Sequence, residues 1–194
     1  MLQTERFIVL RKIRYSDSDL VVHALSSQGQ KCILFARSAL KSKKRFGGGV
    51  LEPTHYIRAV FREPLGESSM ASLQEASLLY DFKGLRQDYE RLETALHLLK
   101  IVDRVSTEGG PDSSAVFDLL GRGLKTLEIS QEPELLRFQF EVKFLGLQGV
   151  LPDEARLRPY LEASIKDQNE IAAMGSPGGD LRGLVAEALS HYLA

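Results

Sequence analysis

The sequence predicts an α+β chain in two parts, a small closed β-barrel followed by an all-helical domain. Three observations carry this. Before about residue 80, apolar residues come in short runs that alternate with period two, as in half-buried strands. After residue 80 they recur every three or four positions, as on amphipathic helices. Charge divides at the same place. Residues 1–79 hold 12 basic and 7 acidic side chains, net +5, whereas residues 80–194 hold 13 and 19, net −6. A basic front and an acidic back suggest two modules, 1–80 and 81–194, with different partners.

The strands follow in order. Residues 4–13 and 20–26 are rich in β-branched and apolar side chains, and Tyr15-Ser-Asp-Ser-Asp19 separates them as a polar turn. Gln28-Gly29-Gln30 turns tightly into residues 31–37. There Lys31, Ile33, Phe35 and Arg37 share one face, and Cys32, Leu34 and Ala36 the other. Residues 55–62 alternate too, with Ile57, Ala59 and Phe61 on one side and Tyr56, Arg58, Val60 and Arg62 on the other. Glu63-Pro-Leu-Gly66 turns the chain back into a last strand over 69–77. Five short strands with a long connection after the third fit a closed barrel of the oligonucleotide-binding (OB) type. An SH3-like barrel or a small sandwich fits the same count.

The helices begin where the period changes. Leu85, Tyr89, Leu92, Leu96, Leu99 and Val102 form one stripe, with Asp81 as the expected N-cap and Gly109-Gly110-Pro111 as the stop. Asp112 or Ser113 can cap a second helix carrying Val116, Leu120, Leu124 and Leu127. A third starts at about Pro133, a favoured first-turn residue, and ends at Gly146 or Gly149. Its apolar side chains cover nearly the whole circumference, so it should be the central helix. A weaker helix is expected over 154–171, a Gly/Pro loop over 174–179 and a last helix over 181–192.

Composition excludes several classes. With 43% hydrophobic and 26% charged residues the chain reads as an ordinary globular protein. Cys32 is the single cysteine, so no intramolecular disulfide can form, and it should act as a small core residue. The apolar run at 7–10 is too short for a signal peptide, and no stretch approaches the ~18 residues of a membrane helix. A cytoplasmic protein is expected. His23, His55, His97 and His191 lack metal-ligand spacing, and no Walker loop or Gly-x-Ser-x-Gly elbow occurs. Asp17/Asp19 and Asp153/Glu154 fall where turns and caps use carboxylates. No enzyme, cofactor or metal is expected.

The segment Arg37-Ser-Ala-Leu-Lys41-Ser-Lys43-Lys44-Arg45-Phe46-Gly47-Gly48-Gly49 stands apart. It puts five cations into nine residues and ends in three glycines. The cations repel one another until a polyanion supplies phosphates and releases its counterions. A solvated surface loop would account for the run equally well.

These residues, in their order, carry a family resemblance. Thr4-Glu5-Arg6-Phe7-Ile8-Val9-Leu10-Arg11 is followed by Ser18-Asp19, Gly29-Gln30-Lys31, Ala36-Arg37-Ser38-Ala39, Lys43-Lys44-Arg45-Phe46-Gly47-Gly48 and Leu51-Glu52-Pro53-Thr54. The pattern resembles the RecO family of bacterial recombination mediators. It is strongest over residues 4–80 and continues through Leu135-Leu136-Arg137-Phe138, Phe144-Leu145-Gly146-Leu147 and Pro152-Asp153. The resemblance implies an N-terminal OB-fold that binds single- and double-stranded DNA, then a helical domain. It implies strand annealing and, with RecR, loading of RecA onto DNA coated by single-stranded DNA-binding protein, with no chemical step and a place at the nucleoid. Many members carry four zinc-ligand cysteines after the segment matching 146–153. Here Glu154-Ala-Arg-Leu-Arg-Pro-Tyr has none, so no metal is expected.

An OB barrel of this kind uses cations for phosphates and aromatics for bases. The expected phosphate contacts are Lys41, Lys43, Lys44 and Arg45, with Arg37 and Lys31 beside them. Arg11, Lys12 and Arg14 make a second cluster. Phe35, Tyr56 and Phe46 are candidate stacking platforms, with Arg58 and Arg62 on the face of Tyr56. Core packing would explain Phe35, and anchoring of the loop would explain Phe46. For the acidic C-terminal tail of single-stranded DNA-binding protein, the resemblance points to Arg137, and next to Lys143. An exposed helix charge would explain either. A scaffold whose barrel binds only protein is the competing reading.

Overall fold

The computed structural model describes residues 1–63, 70–105, 114–173 and 175–194. Five strands, β1 (Leu2–Arg14), β2 (Leu20–Ser26), β3 (Lys31–Ala36), β4 (Tyr56–Arg62) and β5 (Met70–Tyr80), close into a barrel in the order β1-β2-β3-β5-β4. Only the β3–β5 pairing is parallel. This is the five-stranded OB barrel expected from the strand count. A single helical turn, α1 (Lys43–Phe46), fills the long connection between β3 and β4.

Alternation sets the interior. Phe7 and Val9 of β1, Leu34 and Ala36 of β3, and Ile57, Ala59 and Phe61 of β4 are buried in one cluster. Phe7 and Phe61 meet edge to face, with ring centroids 5.6 Å apart. The register of β1 against β2 shifts between Val9 and Arg11. Beyond this bulge Lys12 pairs with Val22 and Arg14 with Leu20, partners that themselves face the interior. The bulge therefore aims two cations at the end of the barrel.

Seven helices are described: α1, α2 (Tyr89–Val105), α3 (Ser114–Leu127), α4 (Pro133–Leu147), α5 (Arg158–Glu162), α6 (Gln168–Ala173) and α7 (Gly179–Leu193). The chain divides into two compact units. The first holds Met1–Phe82 with Leu99–Phe117, the second Lys83–Leu98 with Asp118–Ala194. Among the described residues no helix is long and apolar enough to cross a membrane.

In the second unit α4 packs against α5, α6 and α7. Leu136, Phe140, Val142, Phe144 and Leu145 on α4 are fully buried. Gln139 is also buried, and its amide donates to the carbonyls of Tyr160 (3.3 Å) and Ala163 (2.9 Å) at the end of α5.

Several boundaries differ from the sequence expectation. β5 runs on to Tyr80, because Leu78-Leu79-Tyr80 keeps pairing with β4. A 3₁₀ turn covers Lys83–Gln87, and α2 starts after Asp88 rather than Asp81. The Asp88 carboxylate accepts the Arg91 N–H at 3.0 Å, the bond of an N-cap. The single helix expected over 154–171 is broken into a 3₁₀ turn and the short helices α5 and α6. Ala163, at φ −57° and ψ 140°, turns the chain out of α5, and its carbonyl is the nearer of the two held by Gln139. The turn at 64–66, the start of the last strand at Ser69, the stop at Gly109-Gly110-Pro111, the caps Asp112 and Ser113, and Met174 lie outside the described residues.

Candidate nucleic-acid interface

The basic segment is a built turn. The backbone leaves β3 at Ala36 and passes through Ser38 with φ +56°, a left-handed conformation that a non-glycine residue rarely adopts. Asp19 holds it there: its carboxylate accepts the Ser38 N–H at 2.7 Å, and the Ser18 carbonyl accepts the Leu40 N–H at 3.0 Å. The Ser38 N–H, then the Ser16 hydroxyl, pull the Asp19 carboxyl below the usual aspartate value. Ser42 caps α1 by accepting the Arg45 N–H at 3.3 Å. Arg45 turns inward on its own segment. It donates to the Arg37 carbonyl at 2.9 Å and lies 5.0 Å from the centroid of the Phe46 ring.

Phe46 is buried in the barrel cluster, so it anchors the turn and offers no stacking face. Gly48 and Gly49, both at φ +69°, carry the chain back toward β4 through a region that favours glycine. The result leaves Arg37, Lys41, Lys43 and Lys44 exposed. None of these four makes an ion pair with another described residue.

The second cluster is divided by the β1 bulge. Lys12 pairs with Glu52 beside the basic turn, at 2.5 Å. Arg14 reaches Asp17 at 3.8 Å and the Ser16 carbonyl at 3.2 Å. Arg11 faces the other way. Its Nε lies 2.8 Å from Asp103 Oδ2, and Lys31 Nζ lies 2.9 Å from Asp103 Oδ1. Lys31 also donates to the Asp103 carbonyl at 2.6 Å. His23, on β2 between them, has Nδ1 3.4 Å from the same carboxylate. Burial, then the charge of Arg11, keeps His23 below its ordinary value, so it is neutral at pH 7. Arg11 and Lys31 are thus committed to one carboxylate within the protein.

The aromatics separate in the same way. Tyr56 lies against Phe117, with centroids 6.0 Å apart, and is half-buried. Phe35 points outward and meets Tyr15 edge to face at 5.5 Å. Tyr15 is 65% exposed, which makes this pair the open aromatic surface at the strand ends. Arg58 is exposed on β4, directly opposite Arg6 of β1, and Arg62 follows on the same face. Like charges placed opposite each other are unfavourable without an anion between them.

Two family models match. One, described as recombination protein O N terminal, covers residues 1–82, and the other, recombination protein O C terminal, covers residues 86–156. The chain belongs to the RecO family. A DNA repair protein RecO from Desulfosudis oleivorans is 33% identical over 152 residues, covering 78% of this chain and 58% of the relative. That of Syntrophus aciditrophicus is 36% identical over 151 residues, with 77% and 56% covered. That of Anaeromyxobacter dehalogenans is 34% identical over 146 residues, with 75% and 56% covered. The chain therefore spans less than three fifths of the length of these three relatives.

In the helical unit of this RecO-family chain, Arg137 lines a cavity of 150 Å³ with Phe138 and Arg182. Glu141 holds it at 3.1 Å and also accepts from His97 at 2.7 Å. Lys143 is spent elsewhere, on the Leu161 carbonyl at 2.5 Å, and burial lowers its pKa. Among the described residues no three His, Cys, Asp or Glu side chains are grouped to hold a metal ion.

Sequence reasoning missed Tyr15, Arg6, Asp103 and Arg182. Only Arg6 had a signal along the chain: it shares the outward parity of Thr4 on a basic strand.

Proposed function

We propose that this chain works in DNA repair and recombination as a RecO-type mediator, without a chemical step. It binds single- and double-stranded DNA, anneals complementary strands, and with RecR helps load RecA onto DNA coated by single-stranded DNA-binding protein. The names of its relatives support the repair role. The observation that carries DNA binding is the turn itself: Lys41, Lys43 and Lys44 are exposed, make no ion pair among the described residues, and stand on a backbone fixed by Asp19, Ser42 and Phe46. A fixed array of unpaired ammonium groups loses its self-repulsion when phosphates displace their counterions.

Arg37, Arg58 and Arg6 extend the phosphate contacts, Lys12 and Arg14 flank them, and Arg45 orders the turn from within. The Tyr15–Phe35 pair supplies a stacking edge, sequence-tolerant as annealing requires. Two strands on one cationic surface lose much of their mutual repulsion, which is the physical basis proposed for annealing. In the helical unit, Arg137 is the residue proposed for the acidic tail of single-stranded DNA-binding protein, which would have to displace Glu141 at 3.1 Å, with Arg182, 3.7 Å from Glu134, beside it. The protein acts in the cytoplasm, at the nucleoid.

The test is fluorescence anisotropy of a labelled single strand at low salt, followed by annealing of its complement. The wild type is expected to bind and to accelerate annealing, and a K41A/K43A/K44A variant to lose at least tenfold in affinity. Absence of binding at low salt by the folded wild type would overturn the reading in favour of a protein-only scaffold.

A further inference from the structure

We propose that the end of the barrel beneath the basic turn is a receptor for one unstacked base of a single strand. The inference rests on the DNA-binding reading above. A cavity of 230 Å³ opens there, between the turn and the bulged end of β1. Pockets for drug-sized ligands run from about 300 Å³ upward, so this one suits a single planar heterocycle. Its floor is apolar: Leu20, Ala39, Phe46 and Leu51 are each less than a tenth exposed. Two lysines also line it, Lys12, paired with Glu52, and Lys43, unpaired among the described residues.

Two details make it a base site rather than a phosphate site. Glu52 lines the cavity with its carboxylate on Lys12. A carboxylate inside the cavity repels an anion but accepts the N–H edge of a base. The phosphates beside that base then fall to Lys43 and its neighbours on the turn, since Lys12 is already held by Glu52.

The second detail is Gly47. Its neighbours Gly48 and Gly49 need glycine because φ is +69° at both. Gly47 has φ −67° and ψ 161°, extended backbone open to any residue. A Cβ on Gly47 would also meet nothing within 4 Å. Neither backbone nor packing calls for glycine at this position, which lines the cavity.

The experiment compares two labelled strands of equal length, one intact and one built of abasic residues, so that the phosphate number is constant. The wild type is expected to bind the intact strand more than about tenfold tighter, the worth of roughly one stacked base in the receptor beyond what the Tyr15–Phe35 edge supplies. Gly47→Leu should lower that preference by about tenfold, leaving the share of the edge, while binding the abasic strand with wild-type affinity and salt dependence. Gly47→Ala, with one methyl in the same space, should be intermediate, and thermal melting checks that both variants fold. A wild type without preference, or a folded Gly47→Leu that keeps it, would overturn the base receptor and leave DNA binding standing. A wild type that binds neither strand at low salt would overturn both.

Discussion

The barrel carries two cationic sites that look alike in sequence and differ in what neutralises them. On the outer face, Arg11 and Lys31 converge with neutral His23 on Asp103. On the turn, Lys41, Lys43 and Lys44 find no carboxylate among the described residues. The first site has its counter-charge within the protein, and the second has none among the described residues. Charge density along the chain does not separate them. Pairing does: Lys31, 2.9 Å from Asp103 with both side chains 14% exposed, gains little from a phosphate, and Arg11 shares that carboxylate at 2.8 Å with half of its own side chain exposed.

The comparison can be broken at its strongest point first. Asp103→Ala leaves two cations beside a largely buried position without their counter-charge. It should cost about 3 kcal/mol or more of stability, the usual consequence of removing one partner of a buried pair. Urea unfolding checks this. A loss below about 1 kcal/mol would mean that the cluster is not the lock described here. A smaller, pH-dependent effect is expected at Asp19. Its folded pKa is lowered, so its contribution is present above the ordinary aspartate value of 3.8 and is lost as pH falls through the folded value. Asp19→Asn should therefore melt below the wild type at pH 7, and the two melting curves should converge as pH falls below 3.8 through the folded value. Curves that stay parallel from pH 7 to the acid limit of folding would remove Asp19 as the brace of the turn.

Much of the barrel was legible because a strand writes its burial into every second residue. Ile57, Ala59 and Phe61 are buried on one face as alternation put them, whereas on β3 alternation alone did not decide between the face of Phe35 and that of Leu34, and Leu34 is the buried one. The end of β5 was not legible, since Leu78-Leu79-Tyr80 is as apolar as a helix start. The break after α5 was not legible either, because it depends on Gln139, far along the chain, taking the Ala163 carbonyl. In the site, the basic turn was visible as composition. The fate of Arg11 and Lys31 was not, because Asp103 is distant in sequence and nothing local to either cation announces it. The contact of Tyr56 with Phe117 was hidden for the same reason. Phe46 read equally as platform or anchor until its burial decided for anchor.

The most direct test of the distinction is the salt dependence of single-strand binding for two variants. Each phosphate contact on a single strand contributes about 0.7 to the slope of log K against log salt. K41A/K43A/K44A should flatten the slope by about 2 units. Arg11→Gln, which leaves Lys31 on Asp103, should leave the slope at the wild-type value. A slope unchanged in the triple variant, or flattened in Arg11→Gln by as much as one of the lysines accounts for, would contradict the division between available and sequestered cations.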